Sequence, residues 1–332
     1  MSPVVVALEA PGRVSLIDED RRALGSGEVR IRTLFSGVSA GTEMAFYRGT
    51  NPYLSKHWDP ATRLFIARDS QSVTYPVTTW GYEEVGSVVE VGADVGDVAV
   101  GQRVFGTWGH RAEHVAPAEW VRTRRLPAGA DPLLGTFSHI GPIALNGVLD
   151  AHVRLGETVA VFGLGVVGQL VAQLLARSGA HVIGVDLLAS RRDVAARLTS
   201  ARVLDAATVD AAEEIKRLTD GRGADVCIEA SGTTRAFHAA IRACAYASRV
   251  VALGFYQGEA SGLFLGEEFH HNRIQLVCSQ IGGISPELQH RWDRARLVRT
   301  FMDLAMAGDV RPTKLITHRV PVREAAELYA SI

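Results

Sequence analysis

The chain has 332 residues, with 35 Lys plus Arg against 36 Asp plus Glu and a formal charge of −1. That balance excludes a surface built to track polyphosphate, so nucleic acid is not the expected partner. A composition of 47% hydrophobic and 21% charged residues excludes a largely disordered chain, and the length fits about two domains. In chain order, residues 4–8, 29–36, 84–91 and 103–105 are short apolar or β-branched runs punctuated by Gly and Pro. They predict a mostly β first part. Residues 51–76, with Trp58, Arg63, Phe65 and Arg68, predict a long irregular loop. Trp58 and Arg63 there suit either a substrate lid or a surface or dimer contact.

The pattern changes near residue 150. Strands are predicted at 158–162, 181–186, 226–229, 248–253 and 274–279, with helices at 167–178 and 191–198 and further helical segments between the later strands. Nearly all-apolar strands alternating with helices predict a parallel sheet covered on both faces. The end predicts a strand at 315–320 and a helix at 322–330. Cys227, Cys244 and Cys278 are odd in number, dispersed and without a Cys-x-x-Cys pair. They predict neither a disulfide framework nor a structural zinc. The first residues lack the basic start and long apolar core of a signal peptide. The apolar run 159–176 is broken by Gln169 and Gln173. No membrane span and a cytoplasmic setting are therefore expected.

Gly163-Leu164-Gly165-Val166-Val167-Gly168 follows a predicted strand and opens a predicted helix, and Asp186 ends the next strand. This is the context in which G-x-G-x-x-G binds a dinucleotide. Gly163 permits the tight turn, Gly165 lets backbone approach a pyrophosphate, and Gly168 allows close helix–strand packing. The N–H groups at Val166 and Val167 would face the phosphates. Asp186 would accept the adenosine ribose hydroxyls and repel a 2′-phosphate, so NAD is expected over NADP. Leu187 adjoins it, and Arg191 and Arg192 either soften that preference or face solvent.

Further segments make the chain resemble the medium-chain dehydrogenase/reductase superfamily, the alcohol dehydrogenase-like proteins. Gly37-Val38-Ser39-Ala40-Gly41-Thr42-Glu43 is similar to that family's G-V-C-G-T-D segment, and Gly81-Tyr82-Glu83 to its G-H-E segment. Glu229-Ala230-Ser231-Gly232 resembles the stretch beside the nicotinamide half. Leu253-Gly254 and Ser279-Gln280 sit where further strands end under the cofactor. Leu315-Ile316-Thr317-His318 resembles an L-I-T-H strand. The resemblance implies a GroES-like catalytic domain over 1–148, a Rossmann NAD-binding domain over 149–281, a return to the catalytic domain over 282–332, and a homodimer or higher assembly.

The departures bear on mechanism. The family's zinc-ligand positions fall at Ala40, Tyr82 and His139 (or Ser138), and a catalytic zinc needs three protein ligands. No metal is therefore expected; Glu43, Glu83 and His139 form the one alternative set. The S-G-V-S-A-G-T-E and G-Y-E segments are similar to those of the zinc-free hydroxyethyl-bacteriochlorophyllide dehydrogenases, which implies oxidation of a secondary alcohol. Tyr82 is the first candidate acid, with a packing role as its alternative. Thr42 lies at the hydroxyl-relay position or caps a turn. Glu83 supports the site or the fold, and His139 relays a proton or is a satisfied polar residue. His110 and His114 read as structural, and His270-His271-Asn272-Arg273 either as a polar loop before a buried strand or as part of the cleft lining. The leading expectation is a zinc-independent, NAD-dependent oxidoreductase acting on a small-molecule secondary alcohol or ketone of polyol, cyclitol, sugar or natural-product type. The alternatives are an enone or quinone reductase and a non-catalytic NAD-binding protein.

Overall fold

The computed structural model describes residues 3–67 and 73–332, which divide into two compact units, Met1–His139 with Ile316–Ile332, and Ile140–Leu315. The first unit is mostly antiparallel. β1 (Val4–Ala10) and β2 (Arg13–Asp18) form a hairpin whose tight turn holds Gly12 at φ +72°. β3 (Glu28–Ser36) leads to the short helix α1 (Thr42–Tyr47) and to a small hairpin, β4 (Lys56–Asp59) with β5 (Leu64–Ala67). β6 (Glu84–Val91), β7 (Arg103–Gly106), β8 (Glu113–Pro117) and helix α2 (Ala118–Arg122) follow. Four strands pair in the order β7-β6-β3-β8. Val29, Ile31, Val88, Val104 and Val121 are fully buried, which is the GroES-like core that the period-two runs require. Arg30, on the opposite face of β3 from its neighbours, is buried and satisfied by Glu90 Oε2 at 2.8 Å and the Arg22 carbonyl at 2.8 Å.

The β4–β5 hairpin corrects the expected irregular loop over 51–76. Asp59 organises its turn. Its carboxylate accepts from the Ala61 N–H (2.9 Å) and the Thr62 hydroxyl (2.7 Å), and its carbonyl accepts from the Arg63 N–H (2.7 Å). Phe65 then meets Trp58 and Tyr53 at ring distances of 5.1 and 5.3 Å. A turn made by one aspartate side chain leaves little trace in hydrophobic periodicity. Arg68, placed in the same loop by the sequence reading, lies outside the described residues.

The second unit begins with α3 (Ile140–Ala151). It continues β9 (Thr158–Phe162), α4 (Val166–Arg177), β10 (His181–Asp186), α5 (Ala189–Thr199), β11 (Arg202–Asp205), α6 (Ala211–Leu218), β12 (Ala224–Glu229), α7 (Thr234–Ala243), β13 (Cys244–Ala252), β14 (Gln275–Cys278) and α8 (Arg294–Met306). All its strands are parallel, in the order β11-β10-β9-β12-β13-β14. This is a doubly wound Rossmann sheet, whose strand order reverses between β9 and β12. β9 is apolar throughout its buried part because it has neighbours on both edges and helices on both faces. The buried strand expected at 274–279 is instead the sheet's edge. Among the described residues β14 pairs only with β13, and Gln275, Leu276 and Cys278 are exposed.

The chain then returns to the first unit. The strand expected at 315–320 does not form: Leu315 closes a 3-10 turn (Pro312–Leu315), and residues 316–320 pair with no strand among the described residues. An alternating sequence becomes a strand only where an edge offers it a ladder. The helix expected at 322–330 splits into a 3-10 turn (Val322–Glu324) and α9 (Ala325–Ser331). No helix among the described residues is long and apolar enough to cross a membrane.

Candidate active site

In the second unit, the glycine motif sits at the reversal between β9 and β12. Gly163 has φ +88°, and a Cβ on it would meet the Ser231 N–H nitrogen at 2.7 Å. A Cβ on Gly168 would lie 1.8 Å from the Gly163 carbonyl oxygen. At Gly165 a Cβ would meet nothing within 4 Å, so that position opens on free space at the start of α4. The helix has no side-chain cap, so its first-turn N–H groups, at Val166 and Val167, await an acceptor from elsewhere. These are features that a pyrophosphate cradle would use.

Asp186 ends β10 and is buried. Its Oδ2 accepts from the Leu164 N–H (2.7 Å) and its Oδ1 from the Leu188 N–H (2.9 Å), which fixes the carboxylate beside the glycine turn. Each oxygen keeps a further lone pair for a ribose hydroxyl. Leu187 is exposed beside it, and Arg191 Nη1 stands 3.7 Å from Asp186 Oδ2 on a half-exposed side chain. Arg192 does not face solvent: it bonds the Asp186 carbonyl (3.0 Å) and Asp205 (2.7 Å).

The remaining dinucleotide candidates occupy the same strand-end edge. Glu229 closes β12 fully buried, and burial pushes its carboxyl up. It accepts from the N–H groups of Ser231 (2.7 Å) and Gly232 (3.1 Å) and from the hydroxyls of Ser231 and Tyr256. Its carbonyl accepts from the Leu253 N–H (2.8 Å) and the Gly254 N–H (3.0 Å). One glutamate thus ties the loop of Ala230 and Ser231 to that of Leu253 and Gly254, an organising role the sequence reading did not assign. Ser279, after β14, is buried and lies 3.4 Å from Asn146 Nδ2.

In the first unit, three of the four catalytic candidates converge on one phenol. The Tyr82 hydroxyl donates to Ser39 Oγ at 2.5 Å and also bonds Thr42, at the start of α1. The His139 ring packs against the Tyr82 ring at 4.7 Å. Burial, reinforced by the negative charge of Glu83, pushes the Tyr82 phenol up to about 12. Glu83 itself is buried, and burial followed by repulsion from Glu43 and Glu84 holds its carboxyl far above the usual carboxylate range.

Beside them lies a buried polar cluster that sequence reasoning missed. Glu43 Oε1 accepts from the Ser39 N–H (3.0 Å), and Glu43 Oε2 accepts from the Tyr329 hydroxyl (2.5 Å) and faces His110 Nε2 (2.9 Å). His110 Nδ1 meets Ser36 Oγ at 2.6 Å, and Ser36 Oγ donates to Glu84 Oε1 at 3.1 Å. Burial opposes charge on His110, but Glu43 and then Glu84 outweigh it and raise its pKa. Glu43 stood in a quoted motif. Tyr329, 286 residues further on, carries no local signal. His114 stacks on Trp108 at 5.5 Å, and burial lowers its pKa to about 4. Among the described residues, one group has metal-ligand atoms within 4.8 Å of one another: His238, Glu267 and Glu268, where Glu268 already faces Arg242 at 3.4 Å.

Residues 166–296 match the family model described as zinc-binding dehydrogenase. The chain is 33% identical over 326 residues to D-guloside 3-dehydrogenase of Escherichia coli (strain K12), covering 96% of this chain and 93% of that protein. It belongs to the medium-chain dehydrogenase/reductase superfamily. As a member, it is an oxidoreductase. Its fold matches a zinc-binding dehydrogenase of Sinorhizobium meliloti 1021 bound to NADP, with a TM-score of 0.78, 22% identity, and 99% and 96% of the two chains covered. It also matches 2R,3R-butanediol dehydrogenase of Bacillus subtilis, with a TM-score of 0.77, 22% identity, and the same 99% and 96% coverage.

Proposed function

We propose that this medium-chain dehydrogenase/reductase is an NAD(H)-dependent dehydrogenase of a ring or chain secondary alcohol on a polyol or sugar, and that it works without zinc. The carrying observation is Tyr82: a phenol stands at a family zinc-ligand position, bonded to Ser39 and Thr42 and packed on His139. The donor set does not suit zinc. Ala40 offers a methyl group, the Tyr82 phenol is pushed up to about 12, and one imidazole remains where three ligands are needed. The substrate class follows the relative named D-guloside 3-dehydrogenase.

The dinucleotide, when bound, takes up or returns a hydride. The residues supply the rest. Gly163, Gly165 and Gly168 leave room for the pyrophosphate, with the Val166 and Val167 N–H groups as donors. Asp186 holds the adenosine ribose and disfavours a 2′-phosphate. In the reducing direction Tyr82, which keeps its proton at neutral pH, donates it to the substrate oxygen as the hydride reaches carbon; in the oxidising direction its phenolate takes the alcohol proton back as the hydride leaves. The Ser39 hydroxyl, an acceptor at rest, rotates to donate to the phenolate that results.

The test pairs methyl D-guloside with NAD and with NADP. NADH formation that survives 1,10-phenanthroline is expected. Loss of turnover with the chelator and recovery with zinc would refute the metal-free reading. Calorimetry should show NADH bound more tightly than NADPH. Asp186→Ser should narrow that gap by about tenfold or more, since a desolvated like-charge pair costs several kcal/mol; an unchanged ratio would remove Asp186 from cofactor choice.

A further inference from the structure

We propose that Tyr329 and His110 are positioning residues for the reaction, because they lock Glu43 in the pose from which it holds Ser39, the residue that accepts the Tyr82 hydrogen bond at rest. The inference rests on the reading of Tyr82 as the acid.

The argument runs along hydrogen bonds. Tyr82 has to present its hydroxyl in one direction, and its partner at 2.5 Å is Ser39 Oγ. Ser39 lies just before α1, a helix of six residues whose Gly41 cap offers no side chain. Its conformation is instead held from Glu43, one helical turn on. The Glu43 N–H donates to the Ser39 carbonyl (3.1 Å), and Glu43 Oε1 accepts from the Ser39 N–H (3.0 Å). This reciprocal clasp resembles a capping box, with the carboxylate reaching back to satisfy a free N–H. A carboxylate with two oxygens can clasp Ser39 in one rotamer only if its other oxygen is also fixed.

Two groups fix it. The Tyr329 hydroxyl donates to Glu43 Oε2 at 2.5 Å, and His110 Nε2 stands 2.9 Å from the same atom. Both are in turn held rigidly. The Tyr329 ring stacks on Trp80 at 4.7 Å and 26°. The His110 ring meets Trp80 edge-on at 5.5 Å, and its Nδ1 is held by Ser36. Gly81, the residue before Tyr82, gives His110 its place: a Cβ there would lie 2.6 Å from the imidazole. Glu43, His110 and Tyr329 are each at most 5% exposed, so little water competes for these bonds. Burial, and then the nearby Glu43, holds the Tyr329 phenol protonated and therefore a donor. The last helix of the chain thus reaches the acid without touching it.

The experiment combines Tyr329→Phe, Tyr82→Phe and the double variant. It uses NAD with methyl D-guloside, and 13Cζ-tyrosine NMR with Tyr82 assigned by its loss in Tyr82→Phe. Tyr329→Phe should lower kcat about tenfold, the scale of one lost bond to a charged group, with KM within about twofold. It should also move the Tyr82 13Cζ line. In the Tyr82→Phe background the same change should add less than about twofold, because coupled sites are not additive. Glu43→Gln, which keeps the shape of the side chain but offers one accepting oxygen, should reproduce both effects in the folded protein; failure to do so counts against the proposal. An unmoved Tyr82 line, or an equal loss in both backgrounds, would overturn it and leave Tyr82 as the acid. A Tyr82→Phe enzyme with full turnover would instead remove the acid itself, and the inference with it.

Discussion

Tyr82→Phe is expected to lower kcat by about 10²–10⁴, the contribution of a positioned general acid–base group. NADH affinity should stay unchanged, because the change lies in the first unit and the proposed dinucleotide cradle in the second. The hydroxyl is the only part of the side chain removed, so the packing of its ring on His139 survives. The loss should therefore appear in kcat and not in melting temperature. Stopped-flow measurement of NADH formation with methyl D-guloside checks this. Turnover within about twofold of the parent would show that no proton passes through this phenol.

Gly168→Ala is expected to weaken NADH binding by about tenfold or more and to destabilise the fold by roughly 1–3 kcal/mol, the usual cost of forcing a methyl into a full core. The cause is specific. The new Cβ would stand 1.8 Å from the Gly163 carbonyl oxygen, and backbone cannot swing aside as a flexible side chain does. Either α4 moves off β9 or the turn at Gly163 opens, and each displaces the N–H groups of the first helical turn. Gly165→Ala is the informative comparison. Its Cβ meets nothing within 4 Å, so it should leave the melting temperature in place while still projecting into the cradle. Calorimetry with NADH alongside thermal unfolding separates the two effects.

The second unit was legible from sequence because its signals are local. Residues 159–162 are continuously apolar, the glycines follow at 163, 165 and 168, and Asp186 closes the next strand, so the pattern specifies strand, turn and helix in one reading. The edge position of β14 was not legible, since an apolar run does not say how many neighbours it has. In the first unit, Tyr82, Thr42 and His139 could be named through the resemblance, and the structure brings them together. The Glu43–His110–Tyr329 cluster lay beyond reach. Its members come from a short helix, the segment before β8 and the last helix, and nothing in the spacing of distant residues announces a shared hydrogen bond. His110 in particular reads as an ordinary polar residue until Trp80 and Ser36 are seen around it.

The first unit is discontinuous, and this orders events during synthesis. Its first segment is made early yet lacks Tyr329 until the whole of the second unit, one unbroken stretch, has been made. The parallel sheet can thus assemble while its neighbour still waits, with a vacancy beside Trp80 and a buried carboxylate missing a donor. A chain interrupted before residue 329 would therefore hold the Rossmann sheet but lack the hydroxyl that donates to Glu43 Oε2.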